Sequence, residues 1–202
     1  MGRLLSRSLG YSFLDTGSMY RAITWLALER DLDMGSESLL GDLARKVHIQ
    51  VNEAGHGGVT ADGKDVTPYL NLYKVEKHVP HVAQILEVRN ALVEQQRIIG
   101  SEGQIVMSGR DIGTVVMPDA GLKLFLNAPA TERARRRHSE TVQRGENVSY
   151  QHVLKEIIGR DKSDMSRIHS PLKAASDALV VETEGLDLDQ VINVILGHIK
   201  EN

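Results

Sequence analysis

Two short stretches of this chain each place an arginine just behind an apolar run. In FLDTGSMYR the run ends at Asp15 and is followed by Thr16, Ser18, Tyr20 and Arg21; in IVMSGRD it ends at Ser108, Gly109, Arg110 and Asp111. A turn of small residues that closes a strand and opens a helix offers backbone N–H groups and hydroxyls to an anion. An arginine beside it adds a planar fork of donors matched to phosphate oxygens. Each stretch also has a plainer reading. Asp15, Thr16 or Ser18 would cap a helix while Arg21 faces solvent, and Arg110 with Asp111 would be a surface ion pair worth little. Two such strand ends in one chain bring the ligand reading level with the plainer one.

A third group is richer in charge. GRDKSDMSR holds Arg160, Asp161, Asp164 and Arg167, and upstream TERARRRH holds Arg133, Arg135, Arg136 and Arg137. Guanidiniums gathered in a chain of net charge -3 point to neutralisation of a polyphosphate by bidentate hydrogen bonds. A solvated helix laced with i to i+4 ion pairs accounts equally well for the arginine run alone. The eight histidines show no metal-ligand spacing, and the near pair His78 and His81 flanks Pro80, so no protein-bound metal is predicted. Ser108 lacks the Gly-x-Ser-x-Gly elbow of a hydrolase nucleophile.

The elements that must position these residues follow from periodicity. Short apolar runs at 11–14, 105–107, 122–126 and 178–181 read as buried strands of a largely parallel sheet. Amphipathic segments at 20–30, 74–99 (broken near Pro80), 130–144, 150–162 and 188–200 read as helices, which makes the chain α/β. Residues 47–66 instead alternate apolar and polar around Gly-His-Gly-Gly and Asp-Gly, the signature of antiparallel hairpins and of a small β-rich insertion.

Composition narrows the function classes. With 202 residues and 41% hydrophobic side chains, the chain has material for one core or a core with a small module. Its negative charge argues against coating nucleic acid or an anionic membrane. There is no cysteine for a disulfide or thiolate site, and no apolar run of transmembrane length, so a cytoplasmic protein is expected.

Taken together and in order, FLDTGSMYRA, the insertion ending in ILEVRNAL, IVMSGRDIGTVVMPDAGLKLFLNA, ERARRR and RDKSDMSR with SPLKAASDALVVET resemble the bacterial cytidylate kinases over nearly the whole chain. The resemblance implies a P-loop nucleoside-monophosphate-kinase-like parallel sheet with helices on both faces. It implies a core at 1–40 and 101–202, a lid at about 131–165 and an inserted nucleoside-monophosphate-binding module at 41–100. It implies a monomer that transfers a phosphoryl group from ATP, with Mg2+, to CMP or dCMP. Residue by residue, Thr16, Arg21, Arg110 and Arg167 would hold the CMP phosphate side, and Tyr20 would contact the substrate. Arg89 and Asp111 would read the cytosine, Arg160 and Asp164 the ribose, and Arg136 would reach ATP; Arg110, Arg136, Arg160 and Arg167 would be the catalytic guanidiniums. Where the family carries a serine near the base this chain has Pro80 and His81, and it has Asn71 where an arginine is common.

The family pattern also has a first strand and a Gly-x-x-x-x-Gly-Lys-[Ser/Thr] phosphate loop ahead of DTGSMYR, which MGRLLSRSLG does not supply. A misread start codon is the expected explanation. Without that loop, the expectation is a chain that binds CMP with little or no turnover, as a non-catalytic CMP-binding protein or a truncated remnant.

Overall fold

A computed structural model describes residues 1–52, 58–145 and 147–201. Gly55, His56 and Gly57, the first turn expected in the insertion, lie outside the described residues. The chain packs as two compact units, Gly2–Met117 and Pro118–Asn202, with Met1 grouped with the latter.

In the first unit, β1 (Ser12–Asp15) and β5 (Ile105–Ser108) pair in parallel, with Asp15 opposite Ser108. The helix α1 (Gly2–Leu9) packs on both strands. Asp15 ends β1 and caps α2 (Thr16–Glu29): its side chain accepts from the Gly17 amide at 3.1 Å. Most of α2 is buried, and its Trp25 stacks on Tyr69 at a centroid distance of 4.7 Å. The strands fall where the apolar runs predicted them, and α2 begins four residues before its amphipathic stretch because the cap lies at Asp15.

The insertion forms β2 (Ile49–Asn52), β3 (Gly58–Ala61) and β4 (Lys64–Asp65) in an antiparallel meander. Ala61 pairs with Lys64 across Asp62 and Gly63, whose φ values of 51° and 79° are those of a two-residue hairpin turn of primed type. Ahead of it stands α3 (Glu37–Lys46), capped by Ser36, which the sequence reading did not anticipate.

The break near Pro80 falls elsewhere. Pro80 sits inside α4 (Tyr73–Val82), and the chain leaves the helix only at Ala83, before α5 (Leu86–Ser101). A proline near a helix C-terminus removes one hydrogen bond, from a helix that is about to end. The side chain of Gln84 donates to the Pro80 carbonyl at 2.9 Å and helps close the turn.

The core of this unit runs through Leu14, Met19, Ile23, Trp25, Leu40, Val59 and Leu92, all nearly inaccessible to solvent. The helix α5 packs on α3 and reaches further with polar side chains. Gln95 accepts from the Ile49 amide at 3.1 Å and donates to the Val47 carbonyl at 3.0 Å, so its amide takes the place of a neighbouring strand at the edge of β2.

The second unit holds β6 (Leu124–Asn127) and β7 (Leu179–Glu182), parallel, with Asn127 opposite Glu182. Between them come α6 (Ala130–Gln143) and α7 (Tyr150–Met165), which pack on each other, and α8 (Leu188–Glu201) follows β7. Ser149 caps α7, accepting from the His152 amide at 3.2 Å. Among the described residues no helix is long and apolar enough to cross a membrane.

Replacing Gln95 by methionine keeps the side chain's bulk and removes both bonds to the edge of β2. The expected loss is about 1–3 kcal/mol of unfolding free energy, read as a lower urea midpoint at unchanged slope.

Candidate phosphate and base site

Pairing β1 with β5 brings the two arginine-bearing loops to the same sheet end. The Thr16 hydroxyl donates to the Ser108 carbonyl at 2.9 Å and joins the two strand ends directly. Gly109 fits beneath this bond because it has no side chain: a Cβ there would collide with the Thr16 hydroxyl and lie 2.7 Å from Ile112 Cδ1. Arg21 lies one turn into α2 and donates through Nη2 to Asp15 at 2.7 Å. Its buried Nε has no hydrogen-bond partner among the described residues. Arg110 is exposed beside it in sequence to the buried Asp111.

The capping reading and the ligand reading thus meet in one residue. Asp15 caps α2 with one carboxylate oxygen and holds Arg21 with the other. The pairing of Arg110 with Asp111 as a surface dipeptide does not describe the site: the ion-pair partner of Asp111 is Arg89, and both side chains are more than nine-tenths buried. Arg89 also donates to the Ala83 carbonyl at 3.0 Å and lies with its guanidinium 5.6 Å from the centre of the Tyr20 ring. Tyr20, Arg89 and Asp111, drawn from α2, α5 and the loop after β5, therefore form one buried cluster. After Asp111 the chain makes a single π-helical turn, Ile112–Val116, whose amides at Thr114, Val115 and Val116 converge on the Asp111 carbonyl. Such turns are uncommon and concentrate at functional sites.

In the second unit the arginine groups are ordered by carboxylates. Arg133 makes a two-point contact with Asp161, at 3.0 and 2.6 Å, which ties α6 to α7. Arg135 and Arg136 both reach Glu132, the first at 2.7 Å and the second at 3.1 Å, as the helical spacing allows. Arg136 also donates to the Thr183 carbonyl at 2.6 Å and to that of Leu186 at 3.2 Å, so it is anchored on the turn between β7 and α8. Asp164 is almost wholly buried and pairs with Arg167, with Arg160 Nε 4.0 Å away. The Asp164 carbonyl accepts from the Leu172 amide at 2.9 Å, fixing the chain that leaves α7.

Thr16, Tyr20, Arg21, Arg89, Arg110 and Asp111 thus gather around the end of the β1–β5 pair, while Arg160, Asp164 and Arg167 gather at the end of α7 and Arg136 stands on α6. Sequence reasoning passed over Gln95 and Arg97, because a polar residue on a helix that is elsewhere half-exposed carries no local signal of what it will reach.

Comparison with known proteins gives the class. The family profile described as cytidylate kinase matches residues 1–201. The cytidylate kinase of Carboxydothermus hydrogenoformans is 42% identical over 97% of this chain and 89% of its own length. That of Limosilactobacillus fermentum is 41% identical over 100% and 89%, and that of Bacillus subtilis 37% identical over 100% and 90%. These matches define a nucleoside monophosphate kinase, and the α/β fold with its parallel strand pairs agrees with that class. Within it, the chain belongs to the cytidylate kinase family.

Replacing Arg89 by methionine leaves the Asp111 carboxylate buried without its partner, and about 3–5 kcal/mol of stability should be lost in urea unfolding. Adding Asp111→Leu to that variant removes the stranded charge and should return most of the loss, as a double-mutant cycle would record.

Proposed function

We propose that this chain binds CMP or dCMP at the end of the β1–β5 pair and serves the reaction for which its relatives are named, phosphorylation of that nucleotide by ATP. The observation that carries the reading is the clustering there of a phosphate-type turn with a buried base-type pair. Thr16, Arg21 and Arg110 take the phosphate side, and Tyr20 contacts the substrate from beside Arg89. Arg110 lies exposed at the mouth of the same sheet end. Arg89 and Asp111 read the cytosine, whose exocyclic amine needs an acceptor and whose ring nitrogen and carbonyl need a donor. Of the second unit's residues, Asp164 and Arg160 are assigned to the ribose, Arg167 to phosphate and Arg136 to ATP. Since Arg136 already donates through Nε and Nη2, it reaches ATP through its remaining donors or by releasing a carbonyl.

The reaction is an in-line displacement. A CMP phosphate oxygen attacks the γ-phosphorus of ATP as the bond to the β–γ bridging oxygen breaks, giving CDP and ADP. Arg110, Arg136, Arg160 and Arg167 lower the barrier by positioning and by balancing charge on the transferring group, with no covalent intermediate. Residues 41–100 act as the module that closes on the nucleoside, and about 131–165 as the lid that excludes water.

The carboxylates of Asp15, Asp111 and Asp164 are each engaged by a guanidinium, and the described residues contain no group of three His, Asp or Glu that could hold an ion. Magnesium is assigned to the ATP phosphates, as part of the substrate. A cytoplasmic monomer is the form in which we propose that the protein works.

The test is discrimination among nucleotides. CMP and dCMP should bind more tightly than AMP and GMP in titration calorimetry, and the same preference should appear in CDP formation from ATP. Arg21→Met should weaken CMP by about tenfold to a hundredfold, the worth of a charge-assisted phosphate contact. Equal binding of all four nucleotides would overturn the assignment.

A further inference from the structure

We propose that Arg97 is a positioning residue for base recognition, acting through the turn that presents Asp111; this rests on the reading of Asp111 as a base-contacting group. Arg97 lies on α5, two turns beyond Arg89. Its Nε donates to the Val116 carbonyl at 3.1 Å and its Nη2 to the Val115 carbonyl at 2.7 Å. The last carbonyls of a helical turn have no partner within the turn. One planar guanidinium here satisfies two of them together, which an ammonium on a flexible stem does not reproduce.

The consequence lies at the other end of the same turn. The amides of Val115 and Val116 both donate to the Asp111 carbonyl, at 2.9 and 3.3 Å. Of the two peptide units that Arg97 grips, the one joining Val115 to Val116 donates through the Val116 amide to the Asp111 carbonyl, and the one joining Val116 to Met117 donates to the neighbouring Ile112 carbonyl at 2.7 Å, so Arg97 holds the turn that fixes the backbone at Asp111. Arg89, on the same helix, grips the Asp111 side chain. The α5 helix thus holds this segment at both ends, by the carboxylate at Asp111 and by the carbonyls at Val115 and Val116. A rigid helix with two attachment points sets where the carboxylate sits and which way it faces, the supporting arrangement that an accurate recognition group requires.

Arg97 is itself exposed. Its removal from the surface leaves no enclosed cavity in the core. The fold should therefore survive its loss while the turn relaxes, which separates positioning from bulk stability.

The experiment compares wild type, Arg97→Ala and Arg97→Lys for binding of CMP and of ribose 5-phosphate, which keeps the sugar and phosphate but has no base, with the thermal midpoint measured alongside. Wild type should bind CMP more tightly. Arg97→Ala should weaken CMP by roughly tenfold, within the range for coupled neighbours, with ribose 5-phosphate unchanged. Lysine should recover only part of the loss, and midpoints should stay within about 3 °C. If Arg97→Ala leaves CMP binding intact, or weakens both ligands equally, Arg97 has no role in base recognition and the proposal is overturned. If wild type itself does not distinguish CMP from ribose 5-phosphate, the assignment of Asp111 to the base fails first and takes this proposal with it.

Discussion

An arginine and an aspartate withdrawn from water must remain together, and much of the first unit is arranged so that they do. Arg89 and Asp111 come from a helix and from a loop 22 residues later in sequence, and neither could be buried without the other. The pair fixes where α5 lies relative to the end of β5. That placement allows Tyr20 to lie against the guanidinium and α3 to pack along the outer side of α5. An apolar pair of similar volume often serves stability about as well as a buried ion pair, so it is the breaking of the pair, rather than its absence, that is costly.

The parallel pairing of β1 with β5 supplies the second constraint. Parallel neighbours end at the same edge, so the loops that follow them open side by side regardless of how far apart they are in sequence. The register sets Asp15 opposite Ser108, and the Thr16 hydroxyl then has the Ser108 carbonyl within reach. A shift of one residue would turn the side chains of β1 to the other face and separate this bond. Gly109 is the residue that lets the two chain ends approach so closely.

The strands were legible because each is a short β-branched or apolar run bounded by polar residues, and the Asp-Gly hairpin because that dipeptide is one of the few that suit two successive positive φ values. The helix α3 was not: Gly41 and a mixed polar face blur its period, and its buried residues Leu40, Leu43 and Ala44 gain meaning only against α5. Pro80 misled in the opposite way, as a breaker is read from sequence without knowing how near the helix is to its end. The arginines of the site were visible as a group, and the resemblance assigned them ligand roles. Their protein partners were not visible, because an ion pair such as Arg89 with Asp111 is made by tertiary packing. The π-helical turn after Asp111 has no pattern of its own and depends on contacts from α5.

Those partners change the meaning of the arginine excess. In the ligand-free protein the guanidiniums do not wait as bare cations: Arg21 is paired with Asp15, Arg133 with Asp161, Arg136 with Glu132 and Arg167 with Asp164. On the proposed reading an incoming phosphate would exchange partners with a carboxylate, and the ease of exchange would depend on burial. Asp15 is 42% exposed, so water can solvate it when Arg21 turns to an anion. Asp164 is 1% exposed and could not be abandoned without a large desolvation cost. On that reading Arg21 would follow a ligand at little cost, whereas Arg167 would meet one while still holding Asp164. The same distinction separates Arg136, bound to carbonyls and a partly exposed glutamate, from Arg89, which is held by its buried pairing with Asp111 in a position it cannot leave.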